Sequence, residues 1–305
     1  MGLFSDVALG VRNPNLIARK LNQLIHTRGG RWSYNKKGID IMTRDWDNLL
    51  ILDACRLDMF GEQFLNSPVE SVVSMGSGTI EFLQGNFDGR TLEDTVYVTA
   101  NPQLHRHRDT ISVNFHDVVN VWAEDGWNED HGTVLPETVR ERTIEAAERY
   151  PHKRLIVHFI QPHFPFVGSD IGRGHIDKED PDELHLWMKI MTGEIPEEEI
   201  AAVVREYRSN LEIVVPHVEK TVAELEGKTV VTSDHGNMLG ERSSPIPIEE
   251  WGHPLSLYLD ELVRVPWVEF IDGERRDVIA ERPEETIDDS IVEEVEDRLE
   301  KLGYR

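Results

Sequence analysis

The chain has 305 residues, of which 39% are hydrophobic, so it can bury the core of one large domain or of two smaller ones. Its 57 Asp and Glu against 32 Lys and Arg give a formal net charge of -25. This charge argues against sequence-independent binding of DNA or RNA, which depends on cationic contacts to phosphates.

The acidic composition includes 23 Arg and 9 Lys. A charged, Lys-poor, acidic surface is typical of a salt-adapted protein, and an ordinary acidic enzyme is the alternative. The single cysteine, Cys55, excludes an internal disulfide and fits a reducing compartment. No apolar run approaches the ~20 residues that a transmembrane helix needs, and the N-terminus lacks a signal-peptide pattern. We therefore expect a cytoplasmic protein, with a peripheral position at the inner membrane face as a further possibility.

Residues 1–45 are predicted to form an N-terminal helical extension. Within it, residues 14–27 have the pattern of an amphipathic helix. Such a helix docks on its own domain more often than on a membrane, so we expect its apolar side to pack on the protein. The residues of that side are Leu16, Ile17, Leu21, Leu24 and Ile25.

Strand-like and helix-like runs alternate along the rest of the chain, which favours an α/β fold with a mainly parallel central sheet. We see no clean linker and predict a single domain over residues 1–305, with a C-terminal helix at 285–305 packing on it. The predicted strands cover residues 46–53, 69–75, 94–100, 154–161, 229–233 and 263–271. The longer predicted helices cover residues 135–151 and 196–227.

The ends of these strands carry polar side chains that suit chemistry. In open α/β sheets, ligands bind beyond the carboxyl ends of the parallel strands. Asp and His there supply the O and N ligands of a divalent cation, and a hydroxyl beside a cation becomes a better nucleophile. Displacement at a phosphate or sulfate fits these parts. The strand ends provide Asp53, Ser77, Thr79, His158, His163, Asp234 and His235, and a later loop provides His253.

Each of these residues also has a structural interpretation. Asp53 can be a cap or turn residue, and "GSGT" at 76–79 can be only a turn, since it lacks the pattern of a phosphate-binding or dinucleotide loop. His163 can be a packed, hydrogen-bonded histidine. Asp234-His235 is the strongest signal, because burying both groups without partners is costly.

The segment "VVTSDHGNMLGE" resembles the Ser-Asp-His-Gly signature of the sulfatase-like branch of the alkaline phosphatase superfamily. The segments "NLLILDACRLDMF", "VHFIQPHFPF" and "WGHPLSLYLDELVRVPWVEF" resemble further segments of that family, and the matches follow the family order from about residue 46 to 305. The resemblance, with the acidic composition, suggests a halophilic archaeal source. It implies an alkaline-phosphatase-like, three-layer α/β/α sandwich.

The resemblance also implies roles for individual residues. Asp53, Thr79, Asp234 and His235 would bind a divalent metal, namely Mn²⁺, Mg²⁺, Ca²⁺ or Zn²⁺. Thr79, which directly precedes a helix, would be the nucleophile, with Ser77 as the alternative. His163 and His253 would bind the substrate oxyanion or assist the leaving group, and would be the ligands of a second metal if there is one. Arg56 would position Asp53 or the anion.

The chain departs from true sulfatases because it lacks the Cys-x-Pro-Ser-Arg motif that matures to formylglycine. A hydroxyl nucleophile favours hydrolysis or transfer of a phosphate ester, with a sulfate ester still open. A glycan, a lipid head group or a small diester are possible substrates. The alternative function is a catalytically inactive relative that binds a phosphorylated or sulfated glycan. A phosphomutase-like relative is weaker, since a second Asp-x-x-x-His pair is not found.

Overall fold

The structure is a computed structural model that describes residues 13–63, 68–123, 126–171, 186–282 and 301–302. Its centre is a seven-stranded sheet with the strand order β2-β11-β8-β1-β7-β3-β4. The sheet strands are β1 Asn48–Leu52, β2 Glu70–Val73, β3 Arg90–Thr99, β4 Val113–Asn120, β7 Arg154–Phe159, β8 Gly227–Ser233 and β11 Arg264–Asp272. Strand β11 is antiparallel to both of its neighbours, and the other pairings are parallel. The predicted α/β fold with a mainly parallel sheet is confirmed.

Two hairpin ribbons complete the described strands. One pairs β5 Trp127–Asn128 with β6 Thr133–Val134, and the other pairs β9 Met238–Arg242 with β10 Glu249–Gly252. Neither ribbon was predicted from the sequence, and neither was β4. These segments are short or polar, and strand β4 is partly exposed along most of its length. They therefore lack the buried apolar runs by which the central strands were found.

The helices lie on both faces of the sheet. They are α1 Pro14–His26, α2 Leu57–Gln63, α3 Thr79–Phe87, α4 Gln103–Arg106, α5 Pro136–Arg149, α6 Leu186–Thr192, α7 Glu197–Glu224 and α8 Asp260–Val263. A single turn of 3₁₀ helix covers Ile41–Thr43. The predicted helix at 285–305 lies outside the described residues except for 301–302, of which Leu302 is buried in the core.

Alternate residues of the central strand belong to two different cores. In β1, Leu50 and Leu52 pack in one cluster with residues of α5 and α7. Leu49 and Ile51 pack in the other cluster with residues of α3. This alternation follows from the two-residue period of a strand, and covering both faces explains why β1 is apolar throughout. The result is the predicted three-layer arrangement.

Helix α1 is present, but its expected orientation is wrong. Ile17, Leu21, Leu24 and Ile25 are 43–57% exposed, and Leu16 alone of the five packs against the core. The buried side of the helix is polar: Arg19 donates to Glu250 at 2.7 Å. Glu250 is completely buried, and a buried carboxylate without a partner is costly, so the polar side of the helix is the one that docks.

No helix in the described ranges is long and apolar enough to cross a bilayer.

Replacement of a fully buried residue of β1 tests the two-core packing. We expect Leu50→Ala to lower the free energy of unfolding by about 2–5 kcal/mol, because it removes buried methyl groups and leaves a cavity. Ile271→Ala, at a side chain that is 74% exposed, should change it by less than about 0.5 kcal/mol. Urea denaturation followed by circular dichroism measures both. Equal effects of the two substitutions would contradict the packing.

Candidate metal centre and nucleophile

The carboxyl ends of the central strands bring the predicted residues to one edge of the sheet. In the parallel register, Leu52 at the end of β1 lies level with Phe159 of β7 and Ser233 of β8. Asp53 and Asp234 therefore follow two neighbouring strands at the same height. Both are completely buried, as is His235. The arrangement brings together two carboxylates and an imidazole that are not exposed to solvent.

One oxygen of each carboxylate is bound by neighbouring protein groups. The Oδ1 atom of Asp234 accepts hydrogen bonds from the backbone N–H groups of Ala54 at 3.1 Å and His235 at 2.9 Å. The Oδ2 atom of Asp53 accepts one from the side-chain amide of Asn101 at 2.5 Å. The other oxygens, Oδ2 of Asp234 and Oδ1 of Asp53, both lie 3.5 Å from Nε2 of His235. The hydrogen bonds thus orient the two carboxylates towards one point.

The His235 ring is oriented by its other nitrogen. Nδ1 lies 2.7 Å from the carbonyl oxygen of Gly236, to which it donates. In a neutral ring this leaves the lone pair of Nε2 directed at the two carboxylates, which is the arrangement of a metal-binding histidine.

Thr79 lies against the same cluster. Its Oγ1 donates to Oδ2 of Asp234 at 2.8 Å and is 3.3 Å from Nε2 of His235. Thr79 is the first residue of α3, whose N-cap Gly78 provides no side-chain hydrogen bond. The N–H groups of the first turn can therefore bind an oxyanion next to this hydroxyl.

His158 belongs to the cluster. The sequence placed it among the polar residues at the strand ends but assigned it no specific role. Ligand atoms of Asp53, His158 and Asp234 all lie within 4.8 Å of one another, and His158 is completely buried. Its Nε2 is 3.7 Å from Oδ2 of Asp234, and its Nδ1 is 2.7 Å from the hydroxyl of Tyr97. The signal in the sequence was the position of this histidine inside the apolar run "RLIVHF", because an apolar strand offers a histidine few polar partners.

These residues fit a divalent cation. Oδ2 of Asp234 lies 3.7 Å from Nε2 of His158 and 3.5 Å from Nε2 of His235. Ligand atoms of Asp53 and Asp234 lie within 4.8 Å of each other, and two buried carboxylates so close repel each other unless a cation or a proton compensates. The donors are O and N atoms, which suit Mn²⁺, Mg²⁺ or Zn²⁺. Cys55 lies outside the group of ligand atoms formed by Asp53, His158 and Asp234, and its Sγ contacts the carbonyl of Arg56.

His163 and His253 extend the cluster towards the surface. The ring centroid of His253 is 4.8 Å from that of His235 and 4.9 Å from that of His163. His253 is partly exposed, whereas His163 is 4% exposed. Asn210 of α7 fixes the loop of His163, since its amide donates to the carbonyl of His163 at 3.0 Å. The entrance to the site is therefore on the side of His253.

Ser77 and Arg56 lie apart from this cluster. The hydroxyl of Ser77 donates to Glu81 at 2.9 Å and to the carbonyl of Pro254 at 3.1 Å. The guanidinium of Arg56 pairs with Asp58 and Glu241, both at 2.7 Å. Of the two hydroxyl residues, Thr79 is the one that contacts Asp234, and Arg56 contacts acidic residues of α2 and β9.

Glu81 links the segment of Thr79 to the segment of His253. Its Oε2 accepts hydrogen bonds from the backbone and side chain of Ser77, and its Oε1 accepts them from the backbone and side chain of Ser256. Burial raises the pKa of its carboxyl, and these hydrogen bonds lower it in part. This role could not be predicted from the sequence, because the two serines are far apart in the chain.

No protein-family model and no curated protein sequence matches this chain. Among solved structures it is similar to the integral membrane lipooligosaccharide phosphoethanolamine transferase A of Neisseria meningitidis, with 14% identity and a TM-score of 0.47 over 75% of this chain. It spans about half, 48%, of the length of that protein.

Two further solved structures are also similar to this chain. One is a 2-O GAG sulfatase, with 12% identity and a TM-score of 0.44 over 86% of this chain and 71% of that one. The other is an alkaline phosphatase superfamily protein of Vibrio parahaemolyticus, with 10% identity and a TM-score of 0.40 over 93% and 75%. Similarities this low assign no activity to the chain.

Removal of one candidate ligand tests the metal centre. We expect Asp234→Asn to reduce tightly bound divalent metal to background, because it removes a carboxylate charge from the centre of the cluster. Asp58→Asn is the matched control, since Asp58 is paired with Arg56 outside the cluster, and it should retain the metal. Elemental analysis after metal loading and desalting measures the content. Equal metal in both variants would refute the site.

The buried imidazole of His158 predicts a pH dependence of stability in metal-free protein. Burial lowers the pKa of His158 from 6.5 to about 4, with Asp234 raising it in part and His235 lowering it further. Below about pH 6.5 the unfolded chain binds a proton that the folded chain does not. The free energy of unfolding therefore falls as the pH decreases towards 4.

Urea denaturation in EDTA, compared between wild type and His158→Gln from about pH 7.5 to 4.5, measures this contribution. We expect a shallower decrease for the variant. Parallel curves for the two proteins would show that His158 titrates normally.

Proposed function

We propose that this chain is a metal-dependent hydrolase or transferase that attacks a phosphate ester with Thr79 Oγ1, with a sulfate ester as the second substrate class. The observation that supports it most is the position of the Thr79 hydroxyl, at the start of α3 and 2.8 Å from Oδ2 of Asp234. A hydroxyl held between a carboxylate, an imidazole and a helix N-terminus has the environment of an activated nucleophile.

The proton of Thr79 has an acceptor in place. Asp234 Oδ2 already accepts this proton in a hydrogen bond, and His235 Nε2 is within 3.3 Å of the same oxygen. A bound divalent cation would act as a Lewis acid, lower the pKa of the hydroxyl and neutralise charge on the ester oxygens. Asp53, Asp234, His235 and His158 are the residues that would hold it.

The remaining groups act on the substrate. The N–H groups at the start of α3 and the partly exposed His253 would bind the non-bridging oxygens of the ester. Attack of Thr79 Oγ1 on phosphorus forms the Thr79–O–P bond and breaks the bond to the leaving alcohol, which takes up a proton from His253 or His163. Water or a second alcohol then takes the phosphoryl group from Thr79. Which of the two acts distinguishes a hydrolase from a transferase.

The proposal also includes the location of the protein, its lack of a nucleic-acid partner and its substrate class. The free, buried Cys55 is consistent with a cytoplasmic location, and the excess of acids is consistent with a protein that does not bind nucleic acid. A phosphorylated glycan or lipid head group is the substrate class we propose.

Substitution of the two hydroxyl residues tests the nucleophile. With aryl phosphates, diesters and sulfates and a series of divalent metals, we expect Thr79→Ala to lower kcat by roughly a thousandfold or more. Thr79→Ser should retain part of the activity. Ser77→Ala should remain within about tenfold of wild type, because its hydroxyl contacts Glu81 rather than the cluster.

Intact-mass analysis of the quenched reaction should show one phosphoryl group on the wild type and none on Thr79→Ala. Turnover that persists in Thr79→Ala would remove Thr79 as the nucleophile. Metal-loaded protein that binds phosphorylated ligand but turns over no ester would instead support the non-catalytic alternative.

A further inference from the structure

An apolar stripe on α1 faces outward from the protein. Ile17, Leu21 and Leu24 recur at the helical spacing of one face, and Ile25 flanks them. These four side chains are 43–57% exposed, and Leu255 nearby is 42% exposed. Leu255 adjoins the helix, because the side-chain amide of Gln23 donates to its carbonyl at 2.8 Å. We call these five residues the α1 stripe.

Contacts on the opposite side of α1 hold the α1 stripe in its outward orientation. On the opposite side of α1, Arg19 is paired with the completely buried Glu250. Asn22, also completely buried, donates to the hydroxyl of Ser243 at 3.1 Å and to the carbonyl of Ile246 at 2.9 Å. Rotating the helix to bury the apolar stripe would break all of these contacts. The fold therefore holds the stripe in the solvent.

The segment that carries most of the stripe has a charge opposite to that of the whole protein. Residues 13–39 contain six Lys or Arg and no Asp or Glu, in a chain whose net charge is -25. One of the six, Arg19, is the buried partner of Glu250. The other five are exposed: Lys20, Arg28, Arg31, Lys36 and Lys37. An apolar stripe with exposed bases and no acids is complementary to an anionic, apolar partner.

Two amphipathic aromatic residues lie in the same segment. Trp32 and Tyr34 are partly exposed, and each is covered by a cation: Arg28 lies 5.2 Å from the ring centroid of Trp32, and Lys36 lies 3.2 Å from that of Tyr34. Trp and Tyr are enriched at the boundary between lipid and water, where the ring is in contact with apolar chains and the polar end with head groups.

We propose that α1 and the following segment, residues 13–39, dock on the surface of an anionic lipid bilayer, with the α1 stripe inserted among the acyl chains. The exposed bases contact the lipid phosphates. The pattern is that of an interfacial amphipathic helix, which lies in the plane of the membrane and does not span it. This binding does not depend on the reaction at Thr79.

The docked surface adjoins the entrance of the candidate site. A Cβ atom at Gly78 would lie 2.6 Å from Cδ2 of Leu255 and 3.8 Å from the ring of His253, so Leu255 covers the residue directly before Thr79. A membrane under the α1 stripe would place lipid head groups next to His253. That these head groups carry the ester rests on the proposed function, whereas binding to the bilayer does not.

Co-sedimentation with vesicles tests the proposal. The full chain, in KCl at which circular dichroism shows it folded, is mixed with vesicles of phosphatidylglycerol and phosphatidylcholine in equal parts, and with phosphatidylcholine alone. We expect at least about tenfold tighter binding to the anionic vesicles. The double variant Leu21→Glu/Ile25→Glu should lower binding by about tenfold or more. The matched control is Ile271→Glu, at a more exposed apolar residue of β11, and it should bind as wild type does.

A second pair of variants tests the charges. Arg31→Glu/Lys37→Glu should weaken binding to anionic vesicles by about tenfold, and Lys220→Glu, exposed on α7, should not weaken it. Hydrolysis of a soluble aryl phosphate should be the same for all these variants, which separates this test from that of Thr79.

Three outcomes would overturn the proposal: no binding of wild type to anionic vesicles, equal binding to both vesicle types that the Leu21 and Ile25 substitutions do not change, or a stable dimer in light scattering that Leu21→Glu dissociates. The last outcome would assign the stripe to a second copy of the chain.

Discussion

Two carboxylates buried side by side are the constraint on which the rest of the site depends. Asp53 and Asp234 are both 0% exposed and follow neighbouring parallel strands at the same height. Their repulsion in a place of low dielectric would cost more than most single interactions contribute, so their surroundings must compensate it. Backbone N–H groups and the amide of Asn101 provide part of that compensation. A divalent cation bound by these residues would complete it.

The parts of the site that could be predicted are the residues that directly follow apolar strands, because the ends of neighbouring strands are also close together in the structure. Asp234 and His235 follow an apolar strand directly, and the ends of parallel strands meet at one edge, so their meeting with Asp53 follows from the order of strands. His158 could not be assigned in this way, because its role depends on which face of β7 points towards Asp234. The choice between Thr79 and Ser77 likewise depended on the turn at Gly78, whose geometry no local pattern determines.

The fold likewise contains elements that could be predicted from the sequence and elements that could not. Strands with long apolar runs, such as β1 and β8, could be located from composition, whereas β4 and the ribbon of β9 and β10 could not, since their stability depends on pairing rather than on burial. Helix α1 is the clearest failure. Its apolar period was read correctly, but a helical period does not say which side docks. The side that docks is determined by Glu250, a buried acid more than two hundred residues away in the chain, which pairs with Arg19.

One short stretch of chain, from Ser243 to Tyr258, connects helix α1 with the candidate site. It accepts the polar side of α1 through Ser243, Glu250 and the carbonyl of Leu255. It also carries His253, and its Ser256 is bound to Glu81, which in turn binds Ser77 in the turn before Thr79. Hydrogen bonds to this one segment therefore connect α1 with the residues at the entrance of the site. The helix that faces outward and the residues that face the metal centre are held by the same backbone, so their relative position is fixed by the fold.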